Sequence, residues 1–148
     1  MEIENKEFKN YPENIKKKID TSINLIRLFE NYQDDYFDDW SFLVYPIVIA
    51  FEGYIKWLLI KSGVNVNNHF RYFNKEYKPY KLKDNVVYNK KRKGLIVIVE
   101  YCYNIYVLYR HNICHYEMNN KIDNSYLVST KTKAIEIFTK IYSCFKEV

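Results

Sequence analysis

Three glycines and three prolines are all that this chain of 148 residues contains, and that scarcity limits its fold more than any other feature. Glycine reaches positive φ at tight reversals and proline presets the φ of a turn, so a fold of many short strands needs them at every corner. Long helices with few connections are what such a chain can build. The first is plain in the spacing: Ile15, Ile19, Ile23, Ile26 and Phe29 recur every three or four residues, with Lys16, Lys17, Asn24 and Arg27 opposite. That stripe predicts an amphipathic helix over 14–30.

A second helix is expected over 40–61, with Asp38 or Asp39 of "NYQDDYFDDW" as its cap. Capping and a solvated loop account for the four aspartates of that stretch more simply than a metal site does. The helix is apolar on most faces, which places it centrally in a bundle. Glu52 and Lys56 lie four residues apart inside it and read as a structural polar pair. Two charges in mid-span, at roughly +2.5 to +3.5 kcal/mol each, oppose membrane insertion, so no membrane partner is expected. Gly63 in "SGVN" suits a helix end.

Beyond Gly94, "LIVIVEYCYNIYVLY" is too long for an ordinary strand and predicts a buried helix over 95–112. Ala134, Phe138, Ile141 and Phe145 mark another over 130–146, capped by Ser129 or Thr130. The expected fold class is therefore all-α, a bundle of four to five helices in one domain spanning 1–148. Cys102, Cys114 and Cys144 form no C-x-x-C pair and sit in apolar surroundings, which suits free thiols in a reducing cytoplasm. The charged start "MEIENKEFKN" does not read as a signal peptide.

Charge concentrates in the connection over 65–93. Arg71, Lys75, Lys78, Lys81, Lys83, Lys90, Lys91, Arg92 and Lys93 face only Glu76 and Asp84 there, a net charge of +7 in a chain whose total is +5. Clustered cations release condensed counterions when they meet phosphates, so nucleic acid is the polyanion to consider first. Lys90, Lys91, Arg92, Lys93, Arg71 and Lys75 are the candidate RNA-binding residues. The tyrosines and phenylalanines interleaved among them suit base stacking, and equally suit pinning an irregular loop, with one short helix, onto the bundle.

The third helix ends in "YRHNICHYE" (109–117), with Arg110, His111 and His115 in a chain of three histidines. His111 and His115 share a helix face, but the segment lacks the glutamate of H-E-x-x-H and a second histidine pair, so no metal is expected. Metal-free RNA cleavage fits these residue types better. The 2′-hydroxyl is a nucleophile that RNA carries itself, leaving a proton acceptor, a proton donor and a phosphate-binding cation for the enzyme to supply. Histidine titrates near neutrality, and arginine offers a fork of donors without losing its charge. Arg110 and His115 stand 140° apart on a regular helix, so they converge only where the helix ends or loosens. The other reading of both is as polar ends of a core helix.

"RHNICH" resembles the R-x(4–6)-H signature of the HEPN superfamily, and "FEGYIKWLL" (Phe51–Leu59) resembles the glutamate- and lysine-bearing second helix common in that group. Within it, the chain is similar to the catalytic domain of RNase LS-type toxins. The resemblance implies a HEPN-type bundle and a metal-independent endoribonuclease without cofactor, acting as a toxin or phage-defence effector. It implies Arg110 as the phosphate and transition-state cation, His115 as general acid or base, and His111 as a supporting group. It further implies a homodimer with a composite site, 2′,3′-cyclic phosphate and 5′-hydroxyl products, and an antitoxin protein as a partner. In some members a tyrosine two places after the histidine is modified by a nucleotidyltransferase; that place is Glu117 here. The alternative is a non-catalytic helical module that binds nucleic acid or protein.

Overall fold

The computed structural model describes residues 3, 6–67, 71–114 and 128–148. They form an all-α bundle of helices α1 (Glu13–Leu28), α2 (Ser41–Lys61), α3 (Lys93–Cys114) and α4 (Lys131–Cys144). A two-residue hairpin, β1 (Phe73–Asn74) against β2 (Lys81–Leu82), and a 3-10 turn at Lys90–Arg92 interrupt the α2–α3 connection.

Helix α1 follows Pro12, whose fixed φ suits a helix entry, and it buries Ile15, Ile19, Ser22 and Ile26. The other two members of the expected stripe, Ile23 and Phe29, are only partly buried, and the helix stops at Leu28. Helix α2 packs against α1, α3 and α4, the central position that its composition required. Its length and hydropathy would allow it to cross a membrane. In the bundle, Leu43, Val44, Ile47, Val48, Ala50, Phe51, Tyr54, Ile55, Leu58 and Leu59 are buried. Gly53 lets α1 approach: a Cβ there would stand 3.2 Å from Ile15 Cγ1.

Helix ends follow local chemistry in part. At the end of α2, Gly63 has φ +85°, its N–H donates to Ile60 O at 2.9 Å, and Val64 N–H donates to Leu59 O at 3.0 Å. Those two bonds make a Schellman closure. Thr130 caps α4 by accepting from Lys133 N–H at 3.1 Å. At α2 the N-cap is Trp40, without a side-chain bond. Asp39 assists from the position before it, accepting from Ser41 N–H at 2.9 Å. Asp34 instead serves α4, accepting from the N–H and hydroxyl of Thr132 at 2.7 and 2.9 Å. The fully buried Trp40 completes the join: its N–H donates to Val128 O at 2.8 Å and its indole to Asp34 O at 2.9 Å.

The basic connection is largely irregular with one short helix, the 3-10 turn at Lys90–Arg92, as expected, and adds a small hairpin that the sequence did not show. β1 and β2 pair antiparallel, Phe73 opposite Leu82, and the Phe73 ring stacks on Tyr103 of α3 with centroids 3.5 Å apart. Asn104 accepts from Tyr80 N–H at 2.8 Å and donates to Tyr80 O at 2.9 Å, clamping the hairpin to α3. Its tip, Asn74 to Pro79, stays exposed. Helix α3 begins at Lys93, so Gly94 lies in its first turn rather than ending the loop. Cys102 and Cys144 are buried free thiols; the side chain of Cys114 lies outside the described residues.

The two glycines make opposite predictions. Gly63→Ala forces a side chain into left-handed backbone and should cost about 1–2 kcal/mol. At Gly94 a Cβ meets nothing within 4 Å, and Gly94→Ala should stabilise by roughly 0.5–1 kcal/mol. Urea unfolding of both variants, read as shifts of midpoint in opposite directions, checks the assignment of the two helix ends.

Candidate functional site

Arg110 lies one turn before the end of α3, where the carbonyl pole of the helix favours a cation. Four residues earlier, on the same face, stands Tyr106. The Arg110 Nε donates to the Tyr106 hydroxyl at 3.1 Å, and that hydroxyl donates to Glu52 Oε2 of α2 at 2.7 Å. Arg110 Nε is also 3.4 Å from Glu52 Oε2. The other carboxylate oxygen, Oε1, accepts from Lys56 Nζ at 2.8 Å, the i,i+4 pair read from the sequence. What the sequence presented as two features, a polar pair on one helix and an arginine on another, is thus one network joined by a tyrosine.

Its electrostatics follow from its position. Burial works against ionisation of Glu52, but the hydrogen bonds from Lys56 and Tyr106 and the charges of Lys56 and Arg110 outweigh it, so its pKa is lowered. Burial pushes the Tyr106 phenol well above the usual tyrosine range, and the bond to the Glu52 carboxylate adds to the effect. Tyr106 therefore stays protonated and serves as a fixed donor.

The network opens on a cleft of about 330 Å³ lined by Asn14, Ile15, Lys18, Ile49, Ala50, Glu52, Gly53, Lys56 and Arg110. Three cations, Lys18, Lys56 and Arg110, share it with the single carboxylate of Glu52. The Arg110 side chain keeps 22% of its surface exposed, enough for a ligand to reach it. Such a pocket suits an anion the size of a phosphate group. Lys18 and Asn14 come from α1 and were not singled out in the sequence, because their apposition depends on the close α1–α2 approach at Gly53. Tyr106 was within reach of sequence reasoning, through its spacing of four from Arg110.

Of the remaining candidates, the described basic side chains stand away from this cleft. His115 lies outside the described residues, and His111 is described only as backbone of α3. The helix continues through Cys114, so the condition for Arg110 and His115 to converge falls on that undescribed part. Among the described residues no three His, Cys, Asp or Glu side chains gather as metal ligands. Lys90, Lys91 and Arg92 are exposed on the 3-10 turn and Lys93 opens α3. That places them about 25 Å along the helix from Arg110, at 1.5 Å per residue. Arg71 precedes β1 and Lys75 follows it, both exposed. The hairpin meets α3 at Tyr103, two turns from Arg110 and on the same side of the helix.

The lowered pKa of Glu52 fixes a sign. Stability from its ionised form is complete above the ordinary glutamate range and is lost as pH falls through the lowered folded value. Glu52→Gln should therefore be less stable than wild type at neutral pH, with the difference shrinking as pH falls below the ordinary glutamate range. Tyr106→Phe, which unpairs the carboxylate oxygen from its closest donor, should cost about 1–3 kcal/mol. Urea midpoints of the variants across that pH range check both.

Comparison with known proteins adds the family. No curated protein matches the chain. A protein-family profile matches residues 2–117, from before α1 through the whole of "YRHNICHYE", and its description is RNase LS, bacterial toxin DBD domain. The profile takes in α1, α2, the basic connection and α3, and with them Glu52, Lys56, Tyr106 and Arg110. By that match, over more than half of its length, the chain belongs to the RNase LS bacterial toxin DBD domain family.

Proposed function

We propose that this toxin-family domain is a metal-independent endoribonuclease of HEPN type, cleaving RNA through attack of the 2′-hydroxyl on the adjacent phosphate. The observation that carries the reading is the cationic cleft around Arg110, built from three helices beside the sequence "RHNICH". Arg110 holds the scissile phosphate and the charge that develops on it, with Lys56 and Lys18 supplementing the positive field. Glu52, through Tyr106, fixes the Nε edge of the guanidinium and so sets its plane. His115 removes the 2′-hydroxyl proton or protonates the departing 5′-oxygen, and His111 supports it. No cofactor takes part.

One chain has one Arg110 and one His115, and two proton transfers are better served by two apposed motifs. A homodimer with Arg110 and His115 from both protomers at one phosphate provides them. Two guanidinium groups across a twofold axis repel each other until an anion lies between, which favours the bound substrate. The basic connection supplies RNA affinity, an antitoxin protein restrains the activity, and the cytoplasm is the compartment where both operate.

A scaffolding role has one observation in its favour, the 3.4 Å approach of Arg110 to Glu52, which would also suit a purely structural ion pair. His115→Ala separates the two: a scaffold keeps its cellular effect, and the ribonuclease loses it with the fold intact.

Cleavage of single-stranded RNA should persist in excess EDTA and stop when the scissile nucleotide lacks its 2′-hydroxyl; loss on chelation with recovery on added divalent metal would overturn the mechanism. Mixed dimers of wild-type and His115→Ala chains should lose most activity, and a fully active monomer by light scattering would remove the composite site. Charge reversal at Lys90, Lys91, Arg92 and Lys93 should weaken binding and flatten its salt dependence by about 0.7 log–log units for each single-strand phosphate that is no longer neutralised. An unchanged slope would assign those side chains to solvation.

A further inference from the structure

A second cleft, of about 300 Å³, opens beside the hairpin between Val64 and Asn65 at the end of α2, Arg71 and Tyr72 leading into β1, and Lys83, Asn85, Val86 and Val87 leaving β2. Its volume is at the lower end of the roughly 300–1,000 Å³ typical of small-ligand sites. The walls are held by backbone bonds rather than by side chains at a loop tip. Lys83 N–H donates to Tyr72 O at 2.9 Å, Val86 N–H to Lys83 O at 3.0 Å, and Asn89 N–H to Ser62 O at 2.8 Å. The Schellman closure at Gly63 fixes the remaining wall at Val64.

The lining divides by chemistry. Arg71 and Lys83 supply two cations, and neither enters an ion pair among the described residues. Asn65 and Asn85 each present an amide donor and an acceptor. Val86 and Val87 give an apolar surface, and Val87 is 82% exposed and open to a ligand. Cations for a phosphate, amides for the hydrogen-bonding edge of a base and an apolar wall for its face are the three things an unpaired nucleotide needs.

We infer that this cleft is a subsite for one unpaired RNA nucleotide, with its phosphate at Arg71 and Lys83, its base against Val86 and Val87, and its edge met by Asn65 and Asn85. The inference rests on the ribonuclease reading and adds a second, separate point of attachment. The hairpin beside it touches α3 at Tyr103, about 10 Å along the helix axis from Arg110. The nucleotide held here is accordingly not the one cleaved: the cleft fixes which stretch of single strand is drawn across Arg110. Duplex RNA, whose bases are stacked and paired, has no free base to place in it.

Anisotropy of labelled 2′-O-methyl oligonucleotides, which cannot be cleaved through the 2′-hydroxyl, tests the subsite. Arg71→Ala/Lys83→Ala should weaken single-strand binding by about tenfold and lower the salt slope by about 0.7 units, the contribution of one single-strand phosphate, while duplex binding changes less. Lys17→Ala/Lys140→Ala removes the same charge from exposed positions elsewhere, and should change affinity by less than about twofold. Asn65→Ala/Asn85→Ala should alter the preference among homopolymers and leave the slope alone. Should the alanine pair at 71 and 83 fail to fold by circular dichroism, Arg71→Gln/Lys83→Gln is read in its place. Equal losses in the two charge-matched doubles, with wild type binding RNA normally, overturn the subsite and leave the ribonuclease reading standing. A wild-type chain that binds neither single strands nor duplex overturns both.

Discussion

Glu52 is the single acidic residue of α2, the helix around which the rest of the bundle packs. A carboxylate in an apolar helix is costly unless every oxygen finds a partner. Lys56 satisfies one oxygen from the same helix, and Tyr106 and Arg110 satisfy the other from α3. This requirement fixes the rotation and register of α3 against α2, since a slip of one residue would carry Tyr106 through 100° and away from Glu52. It also decides where a cation can stand: Arg110 is held at the mouth of a cleft rather than swinging free in solvent. Removing one member of such a set leaves a half-buried polar group short of one partner, which costs more than the net worth of the bond that is lost.

From that constraint the proposed chemistry follows with few additions. The close approach of α1 at Gly53 brings Lys18 to the same opening. The clamp of Asn104 on Tyr80 ties the basic connection to the middle of α3. Cations are consequently distributed along one helix, from Lys93 at its start, past the hairpin at its centre, to Arg110 near its end. A flexible polyanion can follow such a path, gaining affinity from the distant groups and reacting only at the last. The family match gives the toxin relation, through a description that names RNase LS and a DBD domain; the chemistry at Arg110 is the part that is proposed.

How much of this was legible in the sequence depended on how far apart the partners are. The α1 stripe, the Gly63 closure, the Thr130 cap and the Glu52–Lys56 pair are set by residues within about one turn of each other, and each was readable. The hairpin was not, because two-residue strands have no periodicity and depend on Phe73 meeting Tyr103, thirty positions on in the chain. Asp34 belongs to α4 although it lies next to α2 in sequence. Lys93 and Gly94 were read as loop, since neither carries an apolar period, yet they start α3. At the site, Arg110 and the polar pair were each recognised separately; their union through Tyr106 needed the packing of two helices. His115 lies outside the described residues, so its place beside Arg110 rests on the proposed chemistry.

The chemical identity of the cleaved ends tests the central claim most directly. RNA treated with the purified chain in the presence of EDTA, and analysed by mass spectrometry, should carry 2′,3′-cyclic phosphate and 5′-hydroxyl termini, and a folded Arg110→Ala chain should yield neither. Termini of the 3′-hydroxyl and 5′-phosphate kind, or undiminished cleavage by Arg110→Ala, would contradict the account.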